Sequence, residues 1–337
     1  MQIAYFYEQF NLKDTMHCHS FKYLQLQKTA LTSYSRCYFS TRPNFLIETN
    51  EVQDLIAMNS PKLRIINASW YMPGSEIDAK AQHLQGRLTS ATQYFSISEV
   101  VAPGSPLPNT MPNAEVFTQH MKNLRIAKDH QIVCYDHVGM FSVARCAFML
   151  RFFGAANVRI MNGGLQKWLK EGRTVYSGPY TPGEGLLTDG DYSYRPLDPS
   201  RVIMDVAKIH EIVGKIYRGS KEWQITDARS AARFNGEAEE SKTNQRKSVR
   251  AGHITGSINV PYSSYIEAET GCLKSDEELK KLFVSKGLDL KKNTVHSCGS
   301  GVTACIADLA WNICGGKPAA MYDGSWAEYV RIFLNLV

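Results

Sequence analysis

The sequence predicts an α/β protein made of two similar halves, each a parallel sheet with helices on both faces. Three observations predict it. Short β runs alternate with helical stretches along the body of the chain, the pattern of a parallel sheet covered on both sides. Residues 178–199 (GPYTPGEGLLTDGDYSYRPLDP) hold four Gly and four Pro, the composition of a linker rather than an element. The sequence on either side of that linker repeats the same landmarks at matched spacing.

Taken in order, residues 1–45 do not read as core. Met16 to Ile47 contains no acidic residue, while Lys22, Lys28, Arg36 and Arg42 are spread among hydroxyl and apolar residues. Basic, hydroxylated and acid-poor is the composition of a mitochondrial transit peptide, and Arg36-Cys37-Tyr38-Phe39-Ser40 is similar to the end of one. The alternative is an ordinary disordered tail, with the protein in the cytoplasm. The expected organisation is therefore an extension over 1–45, a first half over 46–176, a linker over 177–199 and a second half over 200–337.

The first matched landmark is a short strand that ends in a polar residue followed by Ala. It reads Arg64-Ile65-Ile66-Asn67-Ala68-Ser69 in the first half and Gln224-Ile225-Thr226-Asp227-Ala228-Arg229 in the second. The next is a strand running into a small-residue loop and then an apolar helix: Ile132–Asp136 and Thr294–Cys298. The last pairs Met161-Asn162-Gly163 with Tyr322-Asp323-Gly324. Asn67 to Asp136 is 69 positions against 71 for Asp227 to Cys298, and Asp136 to Gly163 is 27 against 26 for Cys298 to Gly324. Matched order with matched spacing means duplication. In the second half, Gln224–Thr226, Ser257–Val260, Thr294–His296 and Ala319–Tyr322 read as strands. Residues 275–285 open with Ser275-x-x-Glu278, a capping box in which hydroxyl and carboxylate satisfy each other's free backbone amides. Residues 303–314 read as a buried helix.

Composition excludes several classes. The formal charge is +6, of which residues 1–45 supply +3, so the body is near neutral and has no footprint for nucleic acid. No apolar run reaches 18 residues, which argues against a transmembrane helix. The eight cysteines include no C-x-x-C pair and no Cys/His cluster with zinc spacing. They read as thiols in a reducing compartment, mostly core. Cys134, Cys146 and Cys305 are expected there, as are the packed Trp168 and Trp326.

One cysteine stands apart. Cys298 lies in Ser297-Cys298-Gly299-Ser300-Gly301-Val302-Thr303, between a β run and a helix. Small residues let the backbone turn tightly, so that successive N–H groups point into one concavity. The helix N-terminus adds partial positive charge. Such a cup favours the thiolate, which is the nucleophilic form.

With these residues in view, the chain resembles the tandem rhodanese-domain sulfurtransferases, and the 3-mercaptopyruvate type among them. The resemblance covers about 55–337. It rests on the Cys298 loop, the Asp at the equivalent loop of the first half, Trp70-Tyr71, Asn162-Gly163-Gly164, Asp227-Ala228-Arg229 with Arg233-Phe234, Gly252-His253-Ile254, Asn259-Val260-Pro261 and Tyr322-Asp323-Gly324-Ser325-Trp326. It implies two rhodanese-like domains with the active site between them. The implied reaction moves the sulfur of 3-mercaptopyruvate onto Cys298 as a persulfide, releases pyruvate, and passes the sulfur to a thioredoxin-like dithiol or to cyanide, with hydrogen sulfide as a product.

The resemblance also assigns roles. Gly299, Gly301, Val302 and Thr303 shape the anion cup, and Ser300 polarises or relays a proton. Arg233 matches the arginine that holds the donor carboxylate; its alternative is an ion pair with Glu237 or Glu239. The second family basic residue falls on Lys242 by spacing, or on Arg246 or Arg250 because the chain is longer here. Thiosulfate-using relatives carry basic residues after the Cys, where this chain has Gly299 and Ser300. A phosphatase on this fold needs an Arg at position 304, which is Ala here.

Two departures stand out. The family's His in the first half falls on Arg87, which could still attract an anionic donor but cannot act as a base; His83 is expected to be exposed on a helix. Asp136 occupies the place of Cys in the first loop, so that half is expected to be chemically silent. His253 is expected to hold a turn. No metal or organic cofactor is expected, because sulfur on Cys298 is itself the reactive intermediate. Thiosulfate sulfurtransfer, and a persulfide carrier or binding module with little turnover, are the rival readings.

Overall fold

The computed structural model describes residues 44–240 and 250–333. The extension up to residue 43, and Lys242 and Arg246, lie outside the described residues. The first half runs β1 (Leu46–Ile47), α1 (Thr49–Ala57), β2 (Leu63–Asn67), α2 (Ala79–Gln85), β3 (Gln93–Tyr94), α3 (Ala114–Asn123), β4 (Gln131–Tyr135), α4 (Val143–Phe152), β5 (Asn157–Met161) and α5 (Gly164–Lys170). The second half runs β6 (Val202–Ile203), α6 (Val206–Tyr217), β7 (Trp223–Asp227), α7 (Ala231–Asn235), β8 (Ser257–Asn259), α8 (Asp276–Ser285), β9 (Asn293–Ser297), α9 (Ala304–Ile313), β10 (Ala320–Tyr322) and α10 (Ser325–Phe333).

Each half builds a five-stranded parallel sheet. The orders β1-β5-β4-β2-β3 and β6-β10-β9-β7-β8 are the same order in equivalent strands. Central strands β4 and β9 are buried over their last four residues, as strands covered on both faces must be. Helix α8 starts with the expected capping box, Ser275 with Glu278.

Helices α4 and α9 follow the two equivalent loops. Residues 143–150 and 304–311 are buried without interruption. The two helices pack against each other, so each has its own sheet on one side and the other half on the opposite side. That is why neither carries a polar stripe.

The linker runs without helix or strand through residues 177–198, yet it is fastened to the first half. Arg87 donates from Nη1 to the Gly178 carbonyl at 2.9 Å and from Nη2 to the Pro179 carbonyl at 2.6 Å. Arg64 Nη2 donates to the Leu187 carbonyl at 3.2 Å, and the Tyr194 hydroxyl to the Ile126 carbonyl at 3.0 Å.

The halves also exchange arms. Residues 105–111 reach over the second half, where the Met111 amide donates to Asp323 Oδ2 at 2.8 Å. Residues 267–273 reach over the first, where the Leu273 amide donates to Asn162 Oδ1 at 2.9 Å. Met111 and Leu273 are equivalent in the repeat, as are Asn162 and Asp323. Gly139, in the first loop at φ +123°, has no room for a side chain: a Cβ there would lie 2.9 Å from the Gly271 carbonyl oxygen of the arm.

Candidate active site

Cys298 follows β9 directly and is 2% exposed. Its loop is held from below by Ser325, which opens α10 with a left-handed backbone at φ +50°. The Ser325 hydroxyl accepts from the amides of Cys298 at 3.2 Å and Gly301 at 3.1 Å, and donates to the Tyr322 carbonyl at 2.8 Å. The carbonyl of Cys298 accepts from the Trp326 amide at 3.0 Å. Gly301 takes φ +77°, and a Cβ there would come within 3.0 Å of the Asp323 carbonyl oxygen. Glycine at 301 is thus a steric requirement of the turn.

The first half shows what such a loop holds. Asp136, equivalent to Cys298, is fully buried and accepts five backbone amides. Val138 and Gly139 donate to Oδ1 at 3.1 and 2.7 Å; Phe141, Ser142 and Val143 donate to Oδ2 at 2.8, 2.9 and 3.0 Å. A negative group therefore occupies the cup of the first half, at the start of α4. The equivalent amides around Cys298 belong to Ser300, Gly301, Thr303, Ala304 and Cys305. Gly301 is committed to Ser325, and Cys305 to the Val302 carbonyl at 3.2 Å.

A cleft of about 240 Å³ opens over Cys298 between the halves. The first half supplies an apolar wall of Trp70, Met72, Pro73, Pro108 and Phe141, together with Asn109. The second half supplies the polar wall: Arg229, Arg233 and Glu240, with Gly299, Ser300, Val302 and Thr303 from the loop.

Arg229 is buried. Its Nη2 donates to Asp227 Oδ2 at 2.6 Å and its Nη1 to Glu240 Oε1 at 2.6 Å, while the guanidinium lies 5.1 Å over the Trp326 ring. Burial opposes the charge, but Asp227 and Glu240 outweigh it and hold the guanidinium above its ordinary value. Arg233 pairs with the other oxygen of Glu240. Its Nε is buried and has no partner among the described residues. The Ser300 hydroxyl accepts from Asn109 Nδ2 at 3.1 Å, a contact that crosses from one half to the other.

Cys298, Ser300, Gly299, Val302, Thr303 and Arg233 thus share one cleft; Gly301 supports it from beneath. Arg250, the alternative basic residue, presents its carbonyl to Trp326 Nε1 at 3.0 Å. Cys134, Cys146 and Cys305 are buried, and burial pushes the Cys305 thiol up to about 12. Trp168 and Trp326 are buried as expected. His253 stacks on Phe234 with ring centroids 3.8 Å apart, and its Nδ1 lies 2.9 Å from the Phe234 carbonyl.

Three expectations need correction. His83 is fully buried, not exposed. Its ring meets Tyr180 edge-on at 4.6 Å, and its Nδ1 lies 3.2 Å from Asn67 Nδ2. Burial, aided by the Arg87 charge, lowers its pKa to about 3. The expectation fails because α2 turns its His83 face inward under the linker, against Tyr180. Arg87 does not line the cleft; it is buried, and its guanidinium is spent on linker carbonyls and on the face of Tyr176, 4.7 Å away. Arg233, weighed against an ion pair with Glu237 or Glu239, is ion-paired with Glu240.

The sequence reading missed Glu240 and Asn109 as site residues. Glu240 could have been found from its place beside two arginines that share one wall. Asn109 has no motif, and only the fold brings it to Ser300.

A buried cysteine at the head of a helix, in a cleft lined by cations and shared by two parallel-sheet halves, defines a rhodanese-type transferase. Residues 75–171 and 215–332 each match the rhodanese-like domain. The chain belongs to the tandem-domain rhodanese family of sulfurtransferases. It is 33% identical over 275 residues to a thiosulfate sulfurtransferase of Gallus gallus, covering 79% of this chain and 86% of that one. It is 34% identical over 273 residues to a 3-mercaptopyruvate sulfurtransferase of Mus musculus, covering 80% and 86%. The crystal structure of SseA, a 3-mercaptopyruvate sulfotransferase of Escherichia coli, superposes with a TM-score of 0.71 at 30% identity, over 84% of this chain and 99% of that one. The chain is accordingly an enzyme of the sulfurtransferase class. Among the described residues, no helix is long and apolar enough to cross a membrane.

Proposed function

We propose that the enzyme takes sulfur from 3-mercaptopyruvate on Cys298 and delivers it to a dithiol of the thioredoxin kind, or to cyanide. The Cys298 thiolate attacks the donor sulfur. An S–S bond forms as the C–S bond breaks, and the departing electron pair leaves as the enolate of pyruvate, which takes a proton. One thiolate of the acceptor then attacks the outer sulfur of the persulfide and regenerates Cys298. Its second thiol closes a disulfide and releases hydrogen sulfide.

The observation that carries this reading is the Asp136 carboxylate in the equivalent cup: backbone amides that hold one anion there can hold a sulfur anion here. Ser300, Thr303 and Ala304 supply the amides for it. Arg233 holds the donor carboxylate, helped by Lys242 or Arg246, and Ser300 donates to the reacting sulfur or enolate. Gly299 and Ser300 after the cysteine suit a monoanionic donor. Thiosulfate is the second reading, favoured by the two guanidinium groups on one wall.

The test is direct. On mixing with 3-mercaptopyruvate, pyruvate should appear, and the intact mass should rise by ~32 Da, the mass of one sulfur. Cys298→Ser should abolish both, whereas Cys134→Ser and Cys305→Ser should keep the adduct. An adduct that survives Cys298→Ser moves the site elsewhere; turnover only with thiosulfate selects the second reading; loading without repeated turnover selects a carrier. We also propose that residues 1–45 direct the protein to the mitochondrial matrix. A reporter fused to that segment and retained in the cytosol would refute this.

A further inference from the structure

We propose that Asn109, a residue of the silent first half, positions Ser300 so that its hydroxyl proton is aimed into the cleft that Cys298 opens onto. A serine hydroxyl has one proton to give and lone pairs to receive. Asn109 Nδ2 donates to the Ser300 oxygen at 3.1 Å, so that direction is taken and the Ser300 proton is left for a group in the cleft. The inference rests on the sulfur-transfer reading above and extends it by a residue from the other half.

The placement of Asn109 is over-determined. It is 4% exposed and sits at φ +55°, a left-handed conformation that asparagine tolerates better than most residues. Its carbonyl accepts from Arg145 Nη2 at 2.6 Å. The same Nη2 donates to Asp323 Oδ1 at 2.9 Å, and the other oxygen of Asp323 takes the Met111 amide two residues on. The arm is therefore pinned at Asn109 itself and again two residues on, with the amide projecting at Ser300. The repeat supplies a comparison within the molecule. The residue equivalent to Asn109 is Gly271, also left-handed at φ +69°, over the cup that Asp136 fills. An amide side chain stands only over the half that holds the thiol.

The test uses the full chain with Asn109→Gly and Asn109→Asp, each in the natural background and with Ser300→Ala. Glycine removes the amide without backbone strain. Aspartate keeps the shape but can only accept, so it draws the Ser300 proton out of the cleft. Two quantities are read: kcat with 3-mercaptopyruvate, and the pH midpoint of Cys298 alkylation by iodoacetamide, which needs no sulfur donor. Asn109→Asp should lower kcat by about tenfold or more and Asn109→Gly by about threefold, a loss within the range of one neutral hydrogen bond. The alkylation midpoint should rise in Asn109→Asp. With Ser300→Ala, Asn109→Gly should change neither kcat nor the midpoint further, because a residue that acts only through Ser300 has nothing left to act on, and Asn109→Asp should keep only the smaller through-space effect of its added charge.

A purely structural arm predicts the reverse order, with the isosteric Asn109→Asp milder than Asn109→Gly. That order overturns the proposal, as does undiminished sensitivity in the Ser300→Ala background or an inert Ser300→Ala. Should the natural protein fail to turn over 3-mercaptopyruvate, the donor reading falls, while the alkylation midpoints still decide whether Asn109 and Ser300 are linked.

Discussion

Asp136 and Cys298 occupy the same place in two copies of one loop, and in the proposed mechanism they divide its uses between structure and chemistry. In the first half the carboxylate satisfies five amides that would otherwise be buried without acceptors. Each such orphan costs about 1–3 kcal/mol. Asp136→Ala should therefore destabilise the protein by about 3 kcal/mol or more, read as a lower urea midpoint, even though the residue touches no substrate. Arg87 belongs to the same scale. Its guanidinium ties α2 to Gly178 and Pro179, so Arg87→His should cost about 2–4 kcal/mol of stability through lost hydrogen bonds at a buried site. It should change kcat by less than about tenfold and introduce no new inflection near pH ~6.5, where imidazole ordinarily titrates. A rescue of two orders of magnitude would mean that the arginine has displaced a working base.

At the level of elements, the sequence was most legible where local chemistry decides the outcome. The Ser275–Glu278 box, the strand before Cys298 and the apolar helix after it are all written in runs of a few residues, and the helix bounds fall within a residue of those expected. What the sequence did not disclose is which face of a short helix meets the linker, as with His83, or which loop crosses to the other half, as with Asn109. Both depend on contacts between residues far apart in the chain. The buried histidines give the elements a shared pH signature. His83 on α2 and His296 on β9 are lowered to about 3, chiefly by burial, with Arg87 and Arg201 respectively adding to the effect; His120 on α3 is lowered to about 4 by burial. Each stays neutral when folded and takes a proton when unfolded between its folded value and the ordinary ~6.5. The unfolded chain then binds more protons, so stability falls as pH drops through that window, by up to about 1.4 kcal/mol per unit for each histidine. Urea midpoints should be flat between pH ~7 and ~8 and decline steadily below ~6.5. His296→Gln should shallow the decline.

Across the whole molecule, one buried arginine joins the halves. Arg145 lies on α4 of the first half, ion-paired at 2.9 Å with Asp323 of the second, and it also donates to the carbonyls of Asn109 and Gly301. Removing it strands a buried carboxylate, a change that typically costs about 3–5 kcal/mol. Arg145→Met should lower both the urea midpoint and kcat. Adding Asp323→Asn should recover part of the stability, since the stranded charge is then gone, without restoring kcat, since Asn109 and the Gly301 turn remain unheld. Independent losses in the two measurements would show that the joint and the site are separate.

The two walls of the cleft come from different halves, and that arrangement frees one from the history of the other. In the proposed mechanism, attack, sulfur carriage and anion binding are confined to the second half, where most substitutions near the loop would be fatal. The facing surface of Trp70, Met72, Pro73, Pro108 and Phe141 lines the cleft, and the proposed mechanism gives it no part in bond making. Selection can reshape that surface one side chain at a time while the reaction stays intact. A half whose loop carries Asp136 where the other carries Cys298 thereby becomes the place where donor range is free to evolve. Exchanging first halves between relatives that prefer different donors should transfer preference more readily than rate.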